Sequence, residues 1–108
     1  MEILVVGLSH NTASIELRER LSIPEEDLAK PLDMLGDSTE LVERMLLSTC
    51  NRVEVYAVTE GRVETAVEAI AGCLAAYRNV DRSEFADKLY THVAADAVRH
   101  VFRVTSSL

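Results

Sequence analysis

Leu47-Ser48-Thr49-Cys50-Asn51-Arg52 is the stretch in this sequence best equipped for chemistry. An apolar run, Met45-Leu46-Leu47, ends in small polar groups around one thiol, and a second β-like run, Val53 to Val58, starts at once. Cys50 has a hydroxyl before it and a guanidinium two residues after. A thiol in polar surroundings is a candidate nucleophile, whereas a structural cysteine more often has apolar neighbours. The bland alternative is that Thr49 to Arg52 is a hairpin turn and nothing more. Arg52 itself reads as a turn residue at the surface or as a planar fork for a carboxylate.

The elements that would carry this stretch follow from patterning. Glu2 to Leu8 is a continuous aliphatic run and reads as a buried central strand. Ser9 to Thr12 break it. A short helix is expected over Ala13 to Leu21, capped by Thr12 or Ser14. Ser22-Ile23-Pro24-Glu25 has capping-box spacing, so a second helix is expected from there to about Leu35, bent or shifted by Pro31 and stopped at Gly36. Leu41 to Ser48 and Val53 to Thr59 read as strands of an antiparallel hairpin. Val63 to Tyr77 is a helix with Val63, Val67, Ile70, Leu74 and Tyr77 on one stripe. Cys73, beside that stripe, reads as a small core residue. Leu89 to Val93 is a short strand. A last helix opens at Ala94 or Ala95 and is expected to turn Ala97, Val98, Val101 and Phe102 to the core, leaving His100 off that stripe and solvated. Its pattern is still running at Leu108, so the chain reads as cut there.

This order gives an α+β fold of ferredoxin-like βαββαβ type. Two helices should cover one face of a four-stranded antiparallel sheet, with one more helix at the C-terminus.

Composition sets bounds. The chain has 108 residues, 48% hydrophobic and 27% charged, which suits one globular domain. No apolar span approaches transmembrane length, and no signal peptide is visible. A net charge of −7 gives no basic footprint for nucleic acid. Cys50 and Cys73 lack metal-type spacing and fit free thiols in a reducing, cytoplasmic compartment. His10, His92 and His100 are not spaced as ligands, so no metal is expected. His10 follows the first strand and could line the same end of the sheet as Cys50, while His92 reads as structural. Gly7, Gly36, Gly61 and Gly72 are isolated and form no dinucleotide fingerprint.

Four blocks then make a resemblance specific. Gly7-Leu8-Ser9-His10-Asn11-Thr12-Ala13, Leu17-Arg18-Glu19, Leu47 to Tyr56, and Val98-Arg99-His100-Val101-Phe102-Arg103-Val104 resemble the N-terminal domain of glutamyl-tRNA reductases. The resemblance implies an oxidoreductase that uses NADPH to reduce glutamyl-tRNA(Glu) to glutamate-1-semialdehyde for tetrapyrrole (porphyrin) synthesis. It implies Cys50 as the nucleophile that holds the glutamyl group as a thioester. Thr49, Cys50, Asn51 and Arg52 would bind substrate, with Arg52 on a glutamate carboxylate. His100 would be a catalytic histidine near the thiol, activating it or moving a proton. Residues 1–108 would be the catalytic, glutamyl-binding domain, truncated before the domain that binds NADPH and the domain that makes a homodimer. No cofactor site is expected within the chain. Two departures stand out: Ser14 replaces a common proline, and Ser107 a common glycine. A non-enzymatic ligand-binding or regulatory module of the same fold, with Cys50 inert, is the alternative. A protein-interaction domain with an exposed apolar sheet face is a third.

Overall fold

The computed structural model describes residues 1–37 and 41–107. The Glu2–Ser9 run forms β1, the strand everything else is built on. β2 (Leu41–Ser48) and β3 (Arg52–Thr59) make the hairpin, and β4 (Tyr90–Val93) is short. The sheet order is β2-β3-β1-β4, and each neighbouring pair is antiparallel. With α1 (Ile15–Leu21), α2 (Ala29–Gly36), α3 (Val63–Arg78) and α4 (Ala95–Ser107), this is the ferredoxin-like α+β architecture the patterning predicts. Leu108, where the chain reads as cut, lies outside the described residues.

The pleat divides β1 and β3 into two faces. Leu4, Val6 and Leu8, with Val53, Val55 and Ala57, pack against α1, α2 and α3 in the main core. Each such aliphatic side chain contributes roughly 1.5–3 kcal/mol on full burial. Phe85, completely buried, plugs the same core from the segment before β4. The opposite face carries a smaller cluster of Val5, Tyr56 and Ala97, where α4 lies across the sheet. Three helices therefore cover one face, not two, and α4 covers part of the other.

Local differences from expectation have physical causes. Ser14 caps α1, its hydroxyl accepting from the Leu17 N–H at 3.2 Å, so the helix starts two residues later than Ala13. The Ser22–Glu25 capping box does not form: the Ser22 hydroxyl donates to the Glu19 carbonyl instead. Pro31 has no N–H to give the Asp27 carbonyl, so the expected long helix breaks into a single turn, Glu25–Asp27, and α2. Gly36 ends α2 without a left-handed φ. Its lack of a side chain admits the Arg44 guanidinium, which a Cβ would meet at 2.2 Å. Arg44 Nε donates to the Leu32 carbonyl at 2.9 Å and so ties β2 to α2.

The buried side of α3 is Ala66, Ile70, Ala71 and Leu74, with Val67 and Tyr77 half-buried beside it, a slight rotation from the expected stripe. Helix α4 departs more. Ala97, His100 and Val104 are buried, whereas Val98 is 43% and Phe102 71% exposed. Its apolar side chains do not all face the sheet, because the face that packs there includes a histidine with a partner on β3.

Candidate active site

Thr49, Cys50 and Asn51 connect β2 to β3. The Thr49 hydroxyl accepts from the backbone N–H groups of Asn51 at 3.2 Å and Arg52 at 3.3 Å. The Thr49 N–H donates to the Arg52 carbonyl at 2.8 Å, closing the turn. The Asn51 carbonyl accepts from the His10 N–H at 2.8 Å, which fixes the turn to the end of β1. His10 thus stands at the same end of the sheet as Cys50. From α1, Arg18 Nη1 donates to the Cys50 carbonyl at 3.3 Å. Cys50 is exposed on this braced turn, whereas Cys73 is half-buried, and burial pushes the Cys73 thiol up from its ordinary pKa.

On one side of the turn is a cleft of about 380 Å3 between it, α1 and the Ser22–Glu25 segment. Cys50, Thr49 and Ser48 border it from the turn, and Ile15, Arg18 and Ile23 from the helix side. The Ser48 hydroxyl accepts from the Ile23 N–H at 2.9 Å and holds its two walls together.

A second cleft of about 290 Å3 opens on the sheet face that α4 partly covers. Arg52, Asn11, His92, His100 and Arg103 line it. At its base lies Glu54, fully buried, with its carboxylate gathered among donors. The Tyr56 and Tyr90 hydroxyls and His100 Nε2 all hydrogen-bond it, and Arg52 Nη1 stands 3.5 Å from Oε2. Burial alone pushes the Glu54 carboxyl up, but the bonds from Tyr56, Tyr90 and His100 outweigh it and hold the group below its ordinary pKa. Burial, then the bond to Glu54, pushes both tyrosine hydroxyls up, so they remain donors. His92 stacks on His100 with ring centroids 4.5 Å apart, and burial followed by the His100 charge lowers its pKa.

His100 is therefore buried, contrary to the solvated position its spacing suggests. Glu54 is the reason: a carboxylate on β3 draws the histidine side of α4 onto the sheet. The His100 Nδ1 atom is buried without a hydrogen-bond partner among the described residues. Cys50 and His100 line different clefts, and of the Thr49–Arg52 stretch Arg52 shares a cleft with His100.

Glu54 and Gly7 carry the site without having been singled out as site residues. Register sets Gly7 opposite both Glu54 and Tyr90, so Gly7 lies between the two partners of a side-chain hydrogen bond. A Cβ on Gly7 would come 2.8 Å from Glu54 Cγ and 2.5 Å from the Val53 carbonyl. The available signal was a lone glutamate between Val53 and Val55 in a strand next to the central one.

Among the described residues, no group of three or more His, Cys, Asp or Glu is gathered that could hold a metal ion. None of their helices is long and apolar enough to cross a membrane. Gly7 is enclosed by β3, and Gly36 by Arg44.

Comparison with known proteins agrees with this arrangement. Residues 6–108 match the model of the glutamyl-tRNAGlu reductase N-terminal domain. Over all 108 residues the chain is 44% identical to the glutamyl-tRNA reductase of Citrifermentans bemidjiense and 43% identical to that of Geobacter sulfurreducens. It spans 25% of each, about a quarter of their length. The solved glutamyl-tRNA reductase from Methanopyrus kandleri superposes with a TM-score of 0.63 at 28% identity, over 96% of this chain and 22% of that one. Fold, turn and sequence together place this chain in the glutamyl-tRNA reductase N-terminal domain family.

Proposed function

We propose that this domain binds the glutamyl end of glutamyl-tRNA(Glu) and takes the glutamyl group onto Cys50. The observation that carries the reading is the exposed Cys50 on a turn braced from β1, α1 and Thr49. A thiol is a good nucleophile even when little of it is ionised, and an aminoacyl ester is an activated acyl donor. Cys50 Sγ bonds to the ester carbonyl carbon, the carbon–oxygen bond to the ribose breaks, and the thiol proton ends on the ribose oxygen. The product is a glutamyl thioester and free tRNA.

Arg52 supplies the fork for the substrate side-chain carboxylate. Its long contact to Glu54 leaves guanidinium donors for a ligand in the second cleft. Glu54 orients Arg52, and the two tyrosines and His100 orient Glu54. His100 borders the same cleft and is hydrogen-bonded to Glu54 through Nε2. Thr49 and Asn51 shape the turn that presents the thiol.

In the complete enzyme this step feeds an NADPH-dependent reduction to glutamate-1-semialdehyde, for tetrapyrrole synthesis in the cytoplasm. Cofactor binding and homodimer formation belong to further domains.

Mass spectrometry of the wild type and Cys50→Ser, each mixed with glutamyl-tRNA, tests the reading. A glutamyl adduct, or faster loss of glutamate from tRNA, is expected with Cys50 present and not with serine. A Cys50-independent result would leave a ligand-binding module with an inert thiol.

A further inference from the structure

The cleft lined by Arg52 and His100 holds a second histidine, to which acyl transfer assigns no part. His92 lies on β4 opposite Val5 of β1, half-buried, and lines that cleft. Its ring stacks on His100 with centroids 4.5 Å and planes 26° apart. Tyr90 meets both rings at a tilt, its centroid 5.3 Å from His92 and 5.5 Å from His100. His100 itself is held at one edge. Its Nε2 is hydrogen-bonded to Glu54, whereas Nδ1 is buried with no hydrogen-bond partner among the described residues. A ring bonded at one edge can pivot about that bond unless its faces are packed, and stacked aromatic rings supply such packing. Glu54 in turn stands 3.5 Å from Arg52 Nη1. A continuous series of contacts thus runs from His92 through His100 and Glu54 to the guanidinium that lines the cleft.

We propose that His92 is a positioning residue for the Arg52 fork: its uncharged ring, stacked on His100, keeps His100 on Glu54 and Glu54 in place beside Arg52. The proposal rests on the reading that Arg52 takes the substrate side-chain carboxylate, and deepens it. The charge on His92 matters because of what faces it. His100, Arg103 and Asp96 come from α4, Glu54 from β3 and Tyr90 from β4, while β1 presents apolar Val5. Burial, then the charges of His100 and Arg103, oppose a proton on His92 and outweigh Glu54 and Asp96, so the ring is neutral near pH 7. Acidification through the lowered pKa replaces this neutral ring with a cation against His100 and Arg103. The stack then pushes His100 from its bond instead of holding it there.

Isoglutamine, which is glutamate with its α-carboxylate amidated, carries the side-chain carboxylate alone and serves as the probe. Its dissociation constant is read from NMR shifts of the Arg52 Nε–H and the His100 ring. The two conditions are about pH 7.5 and about pH 5.5, at both of which a glutamate carboxylate stays ionised. Wild-type affinity is expected to fall about fivefold on acidification. His92→Ala removes the ring and should bind about fivefold more weakly already at the higher pH, a factor within what one aromatic pair supplies. His92→Phe restores the stack without a titrating group. It should bind more tightly than His92→Ala at both values and lose nothing on acidification, and it keeps the test decisive where His92→Ala does not fold. Wild-type affinity in His92→Ala at the higher pH, or an acid loss in His92→Phe as large as that of the wild type, overturns the proposal and leaves the Arg52 reading standing. Absence of isoglutamine shifts at Arg52 in the wild type at either pH overturns the Arg52 reading, and the proposal with it.

Discussion

His100 on α4 and Glu54 on β3 are hydrogen-bonded partners, and that bond anchors the C-terminal helix to the sheet face the other helices leave open. Glu54 also binds Tyr56 and Tyr90, so one carboxylate joins two strands and a helix. Removing it strands several donors at once. Glu54→Ala is expected to lower unfolding free energy by about 3–5 kcal/mol, as for other broken buried pairs. Urea unfolding followed by circular dichroism measures it, and a loss below about 1 kcal/mol would show that water readily replaces the carboxylate.

The same cluster sets the response to pH. Glu54 has a folded-state pKa below its ordinary 4.5, so its contribution is fully present above that value and is lost as pH falls through the folded pKa. His92 has a folded-state pKa below its ordinary 6.5, so the unfolded chain takes up its proton first and stability drops as pH falls through that window. Both effects have the same sign. Unfolding free energy should decline in two stages on acidification, the first starting near 6.5 and the second below 4.5. His92→Gln should remove the first stage and spare the second. A profile that rises on acidification would contradict both assignments.

The two cysteines should separate cleanly by reactivity. Cys50 is exposed, while Cys73 is half-buried and its thiol is pushed up by burial. Iodoacetamide should modify Cys50 at least about tenfold faster. Peptide mapping reads the order, and early modification at Cys73 would mean that α3 opens more readily than its packing implies.

Gly7 leaves room for the Glu54–Tyr90 bond to pass across β1. Gly7→Ala is expected to lose about 1–3 kcal/mol through overpacking, because its Cβ meets backbone on the neighbouring strand. The displaced Glu54 should also release Arg52, so acyl transfer should fall further than stability alone explains. A folded Gly7→Ala protein with full activity would separate Glu54 from the reaction.

Ala94 links β4 to α4 with a φ of 56°, in the left-handed region that costs an L-residue about 1–2 kcal/mol. Ala94→Gly relieves that strain and adds unfolded-chain entropy, which offsets part of the gain. A net stabilisation of up to about 1 kcal/mol is expected from chemical denaturation.

The strands were legible because their signal is local. Ile3 to Val6 and Val53 to Ala57 declare themselves through adjacent aliphatic residues, and the hairpin through the few polar residues between two such runs. The orientation of α4 was not legible, because its deciding partner is far away in sequence. Val98 and Phe102 look like core residues and His100 like a surface one until β3 supplies Glu54. Pro31 was seen as a disturbance, but whether it bends a helix or splits it depends on packing that Leu28 and Leu35 settle in three dimensions. The thiol turn was legible as a polar connection between two strands, and the structure leaves its thiol exposed. The cluster beside Arg52 was not, since Glu54 and Tyr56 on β3 and Tyr90 on β4 look the same whether they face water or one another.

Cys50 is exposed on its turn, at the border of the cleft beside α1. On the proposed acyl transfer, a group held on this exposed thiol would be open to water. The lifetime of such a thioester would then depend on what covers the turn.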